Sequence, residues 1–394
     1  MFASGSGESR VFGQGIYTFG FCLDIASGVS GRVSPRGLDT LPPKLSYSPL
    51  KVIVTPETSV TVHRRDLFDA RFQLISSGVL DVEPSPSAEA TASDLEFVSA
   101  PSDLVPGLYE GGLKTWECSL DLIKCLHGFL SDGLENNEEA SPSRGRAIRG
   151  KNILDVGCGT ALPSVYLLQE ILNISPPGYG DRSKTTIHLQ DYNRSVFELV
   201  TLPNIILAWY HSLASQSYCA SLPPPSPTDQ DQGDEFEIEL SPELLGAFTA
   251  SLSEHHVEFR FFTGSWASLA DALPIIHESD MERQNDQPLY DLVFTSETIY
   301  RLESLPSLIR LLRAGTSTSS QSSVAETPER LRTLSSLSIS QSPRCLVAAK
   351  LLYFGVGGGV DSFVQQVEQQ GGKVQTVWEE NEGLWRRIMR IEWV

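Results

Sequence analysis

A glycine-rich loop near the middle of the sequence combines residue types that can bind a small ligand through backbone atoms and a carboxylate. It contains Asp155, Gly157 and Gly159, follows an apolar run and precedes a stretch with helical spacing. Glycines let the backbone come close to a ligand where a Cβ atom would clash. A dinucleotide-binding loop needs a third glycine, and Leu162 stands at that position, so a nicotinamide dinucleotide is disfavoured. Considered alone, the loop is also compatible with an ordinary turn between a strand and a helix.

Other segments that follow apolar runs carry residues suited to the same ligand site. Asp191 can accept hydrogen bonds from both hydroxyls of a ribose, although alone it is equally suited to cap a helix. Trp266, which follows 264–265, can stack on an adenine or pack in the core. A further polar segment, 296–300, is either part of the same site or an exposed turn.

The elements that must position these residues alternate along the chain from residue 152 onward. The apolar runs predict strands at 152–158, 186–192, 257–262, 290–295, 345–354, 374–379 and 385–394. Helical spacing predicts helices at 162–174, 194–210 (with Pro203 as a kink or break), 303–313 and 361–370. Because several strands are apolar on both faces, we expect an α/β fold with a mostly parallel sheet and helices on both faces.

The remaining segments are rich in Gly, Ser, Pro or charge. We expect 1–103 to be an extended, partly disordered N-terminal arm with one helix over 65–75, and 104–394 to be one domain. Three stretches within that domain, at 131–149, 221–234 and 315–343, have the composition of surface insertions. Such segments bury too little apolar surface to offset the entropy lost on folding.

Composition narrows the classes of function. The chain has 394 residues and a formal net charge of −19, which disfavours direct nucleic-acid binding and permits a basic protein partner. We expect no membrane span and no secretory signal. The six cysteines are scattered without a CxxC pair, so we expect no metal site and reduced thiols in a cytoplasmic or nuclear protein.

The loop and the acidic residue one strand later together favour a nucleoside ligand. An Asp-x-Gly-x-Gly loop resembles motif I of S-adenosylmethionine (SAM) methyltransferases, in which backbone and carboxylate hold an amino acid and a ribose. With Asp191 at the end of the next strand, ligand binding is favoured over a simple cap or turn.

Five segments in order resemble the histidine protein methyltransferase family, a Rossmann-like branch of the seven-strand SAM methyltransferases. They are GGLKTWECSLDL (111–122), ILDVGCGTALPS (153–164), LQDYNRSVFELVTLPN (189–204), YDLVFTSETIY (290–300) and AAKLLYFGVGGGVDSF (348–363). TFGFCLD (18–24) also resembles the phenylalanine-rich start of the family. The resemblance covers most of the chain from residue 104, and it implies methyl transfer from SAM to a histidine of a large-subunit ribosomal protein.

The same resemblance implies a set of site residues. The cofactor would contact residues drawn from five segments: Thr115, Trp116, Glu117, Cys118, Ser119, Asp155, Gly157, Gly159, Asp191, Tyr192, Asn193, Gly264, Ser265, Trp266 and Ser296. Family members often carry a carboxylate at the position of Ser265. Glu297 and Tyr300 are the candidates for holding the substrate imidazole, with the glycines at 357–359 as a flexible lip.

Imidazole suits this chemistry because most of it is neutral at pH 7 and already has a free lone pair. The enzyme must then hold one ring nitrogen as N–H and aim the other at the methyl group. Two alternatives stay open: a lysine methyltransferase of the same fold, since Glu297-x-x-Tyr300 resembles a motif of such branches, and a catalytically silent binding module. We expect a monomer.

Overall fold

In the computed structural model, the described residues are 18–20, 38, 41–80, 104–105, 109–110, 112–131, 140–223, 236–278, 288–317, 344–353, 358–381 and 383–393. The strands are β1 Thr18–Gly20, β2 Lys44–Ile53, β3 Ser59–Arg65, β4 Leu104–Val105, β5 Tyr109–Glu110, β6 Asn152–Val156, β7 Thr185–Asp191, β8 Phe236–Glu239, β9 Val257–Thr263, β10 Leu292–Ser296, β11 Arg344–Lys350, β12 Gly372–Glu380 and β13 Arg386–Trp393.

The α-helices are α1 Leu67–Leu80, α2 Glu117–Ser131, α3 Ala140–Ile148, α4 Leu162–Leu172, α5 Arg194–Val196, α6 Leu202–Tyr210, α7 Gln216–Ser221, α8 Pro242–Glu254, α9 Trp266–Glu278, α10 Leu305–Thr316 and α11 Val360–Gln369. Short 3-10 turns at Leu213–Ser215 and Leu302–Ser304 and a π-helical turn at Phe197–Thr201 accompany them.

The central sheet has the order β1-β9-β7-β6-β10-β11-β13-β12. The five strands from β9 to β11 are parallel to their neighbours, β13 is antiparallel to both of its neighbours, and β1 adds an antiparallel edge next to β9. Without β1, and counted from β6 along this sheet, the strand order is 3-2-1-4-5-7-6. This confirms the predicted α/β fold with a seven-strand, mostly parallel sheet.

Both faces of the sheet are buried because neighbouring side chains along a strand point in opposite directions. Ile153 packs in a core formed largely with α2, α4 and α6, whereas the next residue, Leu154, packs in a second core with α9, α10 and α11. All seven residues of β7 are buried. The apolar runs that predict the strands are therefore the residues that face these two layers of helices.

The structure corrects the expectation for the N-terminal arm. Over 44–65 the chain forms a second sheet, in which β2 lies between β3 and β8. Leu45 and Val62 of this sheet are fully buried in the same core as α4 and α6. The predicted helix at 65–75 exists as α1, but Arg65 belongs to β3, and its backbone N–H donates to the Asn204 side chain at 2.7 Å.

Two predicted insertions also need correction. The segment 131–149 contains α3, whose Arg144 pairs with Glu170 of α4 at 3.1 Å, both side chains being largely buried. The segment predicted to start at 315 overlaps the end of α10, where Gly315 is buried and its carbonyl accepts the N–H of Tyr290. Residues 318–343, most of 221–234 and the N-terminal 17 residues lie outside the described residues.

The predicted break at Pro203 is not seen. The stretch 194–210 stays helical throughout, and Thr201 and Leu202 keep right-handed helical angles. The irregularity is the π-helical turn at Phe197–Thr201, which directly precedes the first turn of α6, where Pro203 stands. Among the described helices, none alone is long and apolar enough to span a membrane. The bent pair Arg194–Tyr210 and Leu213–Ser221 qualifies by length and composition only.

Candidate active site

The side chain of Gln190, the penultimate residue of β7, joins three strand ends. Its Oε1 accepts the backbone N–H of Gly157 at 3.0 Å and the indole N–H of Trp266 at 2.9 Å. Its Nε2 donates to the carbonyl of Gly264 at 2.8 Å. Gln190 is completely buried. The glycine loop after β6 and the indole after β9 are therefore fixed relative to each other.

Asp191 connects the same segments one residue further on. Its Oδ2 accepts the N–H of Gly159 at 2.9 Å and its Oδ1 accepts the N–H of Asn193 at 3.1 Å, while its backbone carbonyl accepts the N–H of Gly264. Each carboxylate oxygen has two lone pairs, so these bonds leave capacity for further donors. The carboxylate thus lies at the loop predicted to bind the ligand.

The glycine loop requires glycine for its conformation and its close packing. Gly157 and Gly159 have φ values of +62° and +52°. A Cβ at Gly157 would lie 2.7 Å from Cγ2 of Thr298, and one at Gly159 would lie 3.1 Å from the carbonyl oxygen of Gly112. At Gly264, by contrast, a Cβ would meet no atom within 4 Å, so the backbone there borders open space.

Asp155 supports the loop from the interior. The hydroxyl of Ser164 donates to its Oδ2 at 2.7 Å, and the residue is almost entirely buried. Burial, opposed by that hydrogen bond and aided by the charge of Asp191, raises the pKa of Asp155 to about 7. Its contacts tie the loop to the first turn of α4.

The segment that leads into α2 lies over the loop. The Thr115 and Thr160 hydroxyls are 3.3 Å apart, and the Ser119 hydroxyl donates to the carbonyl of Trp116 at 2.7 Å. Cys118 is buried, and burial followed by the charge of Glu297 raises the pKa of its thiol, which keeps it protonated.

The end of β10 faces the end of β11. Glu297 has a left-handed φ of +59°, and its backbone N–H donates to the carbonyl of Ala348 at 2.9 Å. Its carboxylate lies 3.4 Å from Nζ of Lys350. Gly358 packs tightly against the backbone of Tyr300, whose carbonyl accepts the Gly358 N–H at 3.0 Å. Ser296 is the last residue of β10, paired in register with Ala348.

Comparison with known proteins identifies the family. No family model matches the chain. Histidine protein methyltransferase 1 of Saccharomyces cerevisiae is 30% identical over 335 residues, which cover 84% of this chain and 76% of that protein. The chain belongs to the histidine protein methyltransferase family. It is a SAM-dependent enzyme that methylates protein histidine.

Other histidine methyltransferases show the same relationship. The protein of the same name from Schizosaccharomyces pombe is 29% identical, with 84% of this chain and 75% of that protein covered. The homologue from Rattus norvegicus is 31% identical, covering 74% of this chain and 59% of its own length.

Solved methyltransferase structures overlap more loosely with this histidine methyltransferase. A TehB-like SAM-dependent methyltransferase from Corynebacterium glutamicum has a TM-score of 0.27 at 13% identity, covering 70% of this chain and 98% of its own. The O-methyltransferase TomG from Streptomyces achromogenes, solved with SAM, has a TM-score of 0.28 at 12% identity, covering 72% and 92%. Likeness at this level adds no residue assignments.

In the structure, most of the predicted site residues of this histidine methyltransferase lie together at the carboxyl ends of the parallel strands. Three of them have other surroundings. The Ser265 hydroxyl accepts the backbone N–H of Ser268 at 3.2 Å and therefore caps α9. Tyr192 is 48% exposed, so its ring borders solvent beside the loop. Glu117 pairs with Lys350 at 3.0 Å and is half exposed.

Sequence reasoning missed several residues of the histidine methyltransferase site. Gln190 and Lys350 carry the contacts described above, and two polar residues after β7 hold the glycine loop. The Thr201 hydroxyl donates to the carbonyl of Gly159 at 2.7 Å, and the Asn204 amide donates to the carbonyl of Thr160 at 2.8 Å. The local signal in the sequence is a polar residue within an otherwise apolar element, and it does not reveal the partners of that residue.

Proposed function

We propose that this histidine methyltransferase acts on a histidine of a basic large-subunit ribosomal protein, with SAM bound at the carboxyl ends of β6, β7 and β9. The family resemblance of the sequence supports the substrate. The formal net charge of −19 supports a basic partner, because opposite charges speed and strengthen encounter.

The residues at these strand ends fit SAM. The left-handed glycines Gly157 and Gly159 would border its methionine part, and Asp191 would accept ribose hydroxyls. Gly264, which borders open space, and Trp266 would flank the adenine, and Trp116 would lie against the SAM. When bound, SAM supplies a methyl group on a positively charged sulfur.

One observation carries this assignment. Gln190 holds the loop at Gly157 and the indole of Trp266 through the same oxygen atom. Two walls of a nucleoside site are thereby fixed before any ligand arrives, and such preorganisation reduces the entropy lost on binding.

The residues that follow β10 would bind the acceptor histidine. Glu297 and Tyr300 would hold one imidazole nitrogen as N–H, so that the other presents its lone pair. A neutral imidazole needs no base to become a nucleophile. After transfer the ring is a cation, and losing its N–H proton to water restores neutrality.

We further propose that the enzyme works as a monomer in the cytoplasm and nucleus. The five cysteines within the described residues are free thiols, as expected for a reducing compartment. Size-exclusion chromatography with light scattering and imaging of a tagged chain test these two statements.

The test of the substrate uses the purified chain, labelled SAM and large-subunit ribosomal proteins from cells that lack it. Acid hydrolysis after the reaction separates methylhistidine from methyllysine. We expect label in methylhistidine only, from one ribosomal protein. Label in methyllysine would favour the lysine alternative, and label in neither would reject the ribosomal substrate.

A further inference from the structure

Lys350, the last residue of β11, is a largely buried cation at the centre of the acceptor end of the site. Its side chain is 11% exposed. Its Nζ lies 3.4 Å from Oε1 of Glu297, 3.0 Å from Oε2 of Glu117 and 4.5 Å from the centroid of the Trp116 ring. One ammonium group therefore contacts Glu297 after β10, Glu117 at the start of α2 and Trp116 just before it.

The directions of the pKa shifts around this ammonium show which of its neighbours are neutral. Burial by itself would lower the pKa of Lys350, but the carboxylates of Glu297 and Glu117 outweigh it and raise that pKa. Burial would raise the pKa of Glu117, but the hydrogen bond from Lys350 contributes to lowering it. Burial and the charge of Glu297 raise the pKa values of the Cys118 thiol and the Tyr353 phenol, so both stay neutral.

Glu297 needs this cation more than Glu117 does. The Glu297 side chain is 8% exposed, whereas that of Glu117 is 50% exposed. Glu297 also has a left-handed backbone conformation, which is unusual for a residue other than glycine. A buried carboxylate without a counter-charge is costly. Lys350 meets the buried oxygen Oε1, which lacks a hydrogen-bond partner among the described residues. The Cys118 thiol and the Tyr353 phenol also lie within hydrogen-bonding reach of the Glu297 carboxylate.

We propose that Lys350 is a positioning residue that orients the carboxylate of Glu297, and thereby restricts the enzyme to acceptors that arrive neutral. The proposal rests on the proposed function of Glu297 in holding the imidazole. A carboxylate paired with an ammonium accepts an imidazole N–H readily. Taking a proton from a lysine ammonium would neutralise Glu297 and break its pair with Lys350. The sulfonium methyl needs a lone pair, which imidazole has at pH 7 and a protonated lysine lacks.

The first test is a stability cycle that needs no substrate. The variants are Lys350→Met, Glu297→Gln and both together, with thermal unfolding as the measurement. Lys350→Met alone leaves a buried carboxylate unpaired, so we expect it to lower the melting temperature most. Adding Glu297→Gln should recover a large part of that loss, because the double variant buries no unpaired charge. Additive effects would overturn the pairing.

The second test is the pH profile of methylhistidine formation on the same ribosomal proteins at saturating SAM. Relative to wild type, Lys350→Met should lower kcat at pH 7 at least tenfold. It should also move the acid limb of the profile upward, because a carboxylate without its ammonium partner favours the protonated form of the bound imidazole. Lys350→Arg should keep most of the activity, since it keeps the charge. In the Glu297→Gln background, Lys350→Met should change kcat less than threefold and should not move the acid limb.

Lys124 offers a matched control. It pairs with Asp121 at 3.1 Å and lies 5.5 Å from the ring centroid of Trp378, so Lys124→Met also removes an ion pair and a cation–π contact on α2. We expect Lys124→Met to leave the pH profile unchanged. An unmoved acid limb in Lys350→Met, or an equal effect with and without Glu297, would overturn the proposal. If wild type forms no methylhistidine, the proposed substrate fails, and the stability cycle still decides the pairing.

Discussion

The backbone N–H of Gly157 donates to the side-chain oxygen of Gln190 at 3.0 Å, which joins the glycine loop to the neighbouring strand. Because the same oxygen accepts the indole N–H of Trp266, loop and indole are positioned by one buried amide. The shape of the cofactor site thus depends on a residue that is not itself at the surface of the site.

Gln190→Leu removes this amide while keeping the approximate volume of the side chain. The Gly157 and Trp266 donors lose their acceptor, and each unsatisfied buried group costs about 1–3 kcal/mol. We expect the affinity for S-adenosylhomocysteine, the demethylated product, to fall at least tenfold in isothermal titration. The control is Gln365→Leu on the exposed face of α11, which should bind as wild type does. Equal affinities for the two variants would contradict the role of Gln190.

Asp191→Ala removes the carboxylate assigned to the ribose. Charge-assisted hydrogen bonds of this kind contribute about 1.5–3 kcal/mol, so the dissociation constant for the same ligand should rise roughly ten- to 150-fold. Asp181 is the matched control, since it also accepts a backbone N–H two residues ahead but lies in an exposed turn. If Asp191→Ala binds no more weakly than Asp181→Ala, the ribose does not bind at Asp191.

Gly157→Ala tests the loop by adding one methyl group. The left-handed φ of +62° disfavours a side chain, and the new Cβ would lie 2.7 Å from Cγ2 of Thr298. We expect at least a tenfold loss of ligand affinity in a chain that still folds by circular dichroism. The second substitution Thr298→Ser removes Cγ2 and should restore part of the binding.

Gly128→Ala provides the comparison for that variant. Gly128 lies within α2 and a Cβ there would meet no atom within 4 Å, so alanine should be neutral or stabilise by up to about 1 kcal/mol. Unchanged ligand affinity in Gly157→Ala would show that the loop does not approach the cofactor.

Acid should destabilise the fold partly through His127, which is buried against Tyr166, with Nδ1 3.0 Å from the phenol oxygen. Burial, followed by the charge of Arg144, lowers the pKa of His127 from 6.5 to about 4. Between these values the unfolded chain binds the proton and the folded chain does not, so the free energy of unfolding falls as pH decreases.

The contribution of His127 should reach up to about 3 kcal/mol at pH 4. Urea unfolding of wild type and His127→Gln from pH 8 to pH 4.5 measures it. At pH 8 the difference between them reflects the lost contact with Tyr166 alone. Wild type should then lose more stability on acidification than the variant, and parallel curves would contradict a neutral buried His127.

The rate of methyl transfer should report the protonation of the target imidazole. We expect the rate at saturating SAM to fall in acid near pH ~6.5, where imidazole gains a proton, and to be flat above that. A lysine acceptor without a base would instead gain rate towards pH ~10. Binding of a basic substrate should weaken with added salt, because exposed charges are screened beyond about 8 Å at physiological ionic strength.

The sequence predicted the central strands closely because their signal is local. The run 186–192 carries Ile187 and Leu189 at alternate positions, and the observed β7 differs from that range by one residue at each end. The β2-β3-β8 sheet was missed for the opposite reason. β8 has four residues and pairs with β2 almost 200 positions earlier, a partnership that no local pattern encodes.

The same distinction applies to the site. Gly157 and Asp191 could be predicted because they stand where buried strands end. Gln190 could not, because its partners Gly157 and Trp266 are 33 and 76 positions away. Lys350 reads as an ordinary polar residue at the end of an apolar strand until the fold brings α2 and the end of β10 against it.

Mass spectrometry of histidine methylation in total large-subunit ribosomal protein tests the central claim most directly. The comparison is between cells with the chain, cells without it, and cells without it that express either wild type or Asp191→Ala. We predict one histidine of a basic large-subunit protein that is methylated with wild type and unmethylated without it, with Asp191→Ala failing to restore the mark. Identical histidine methylation in all four cell lines would contradict the account.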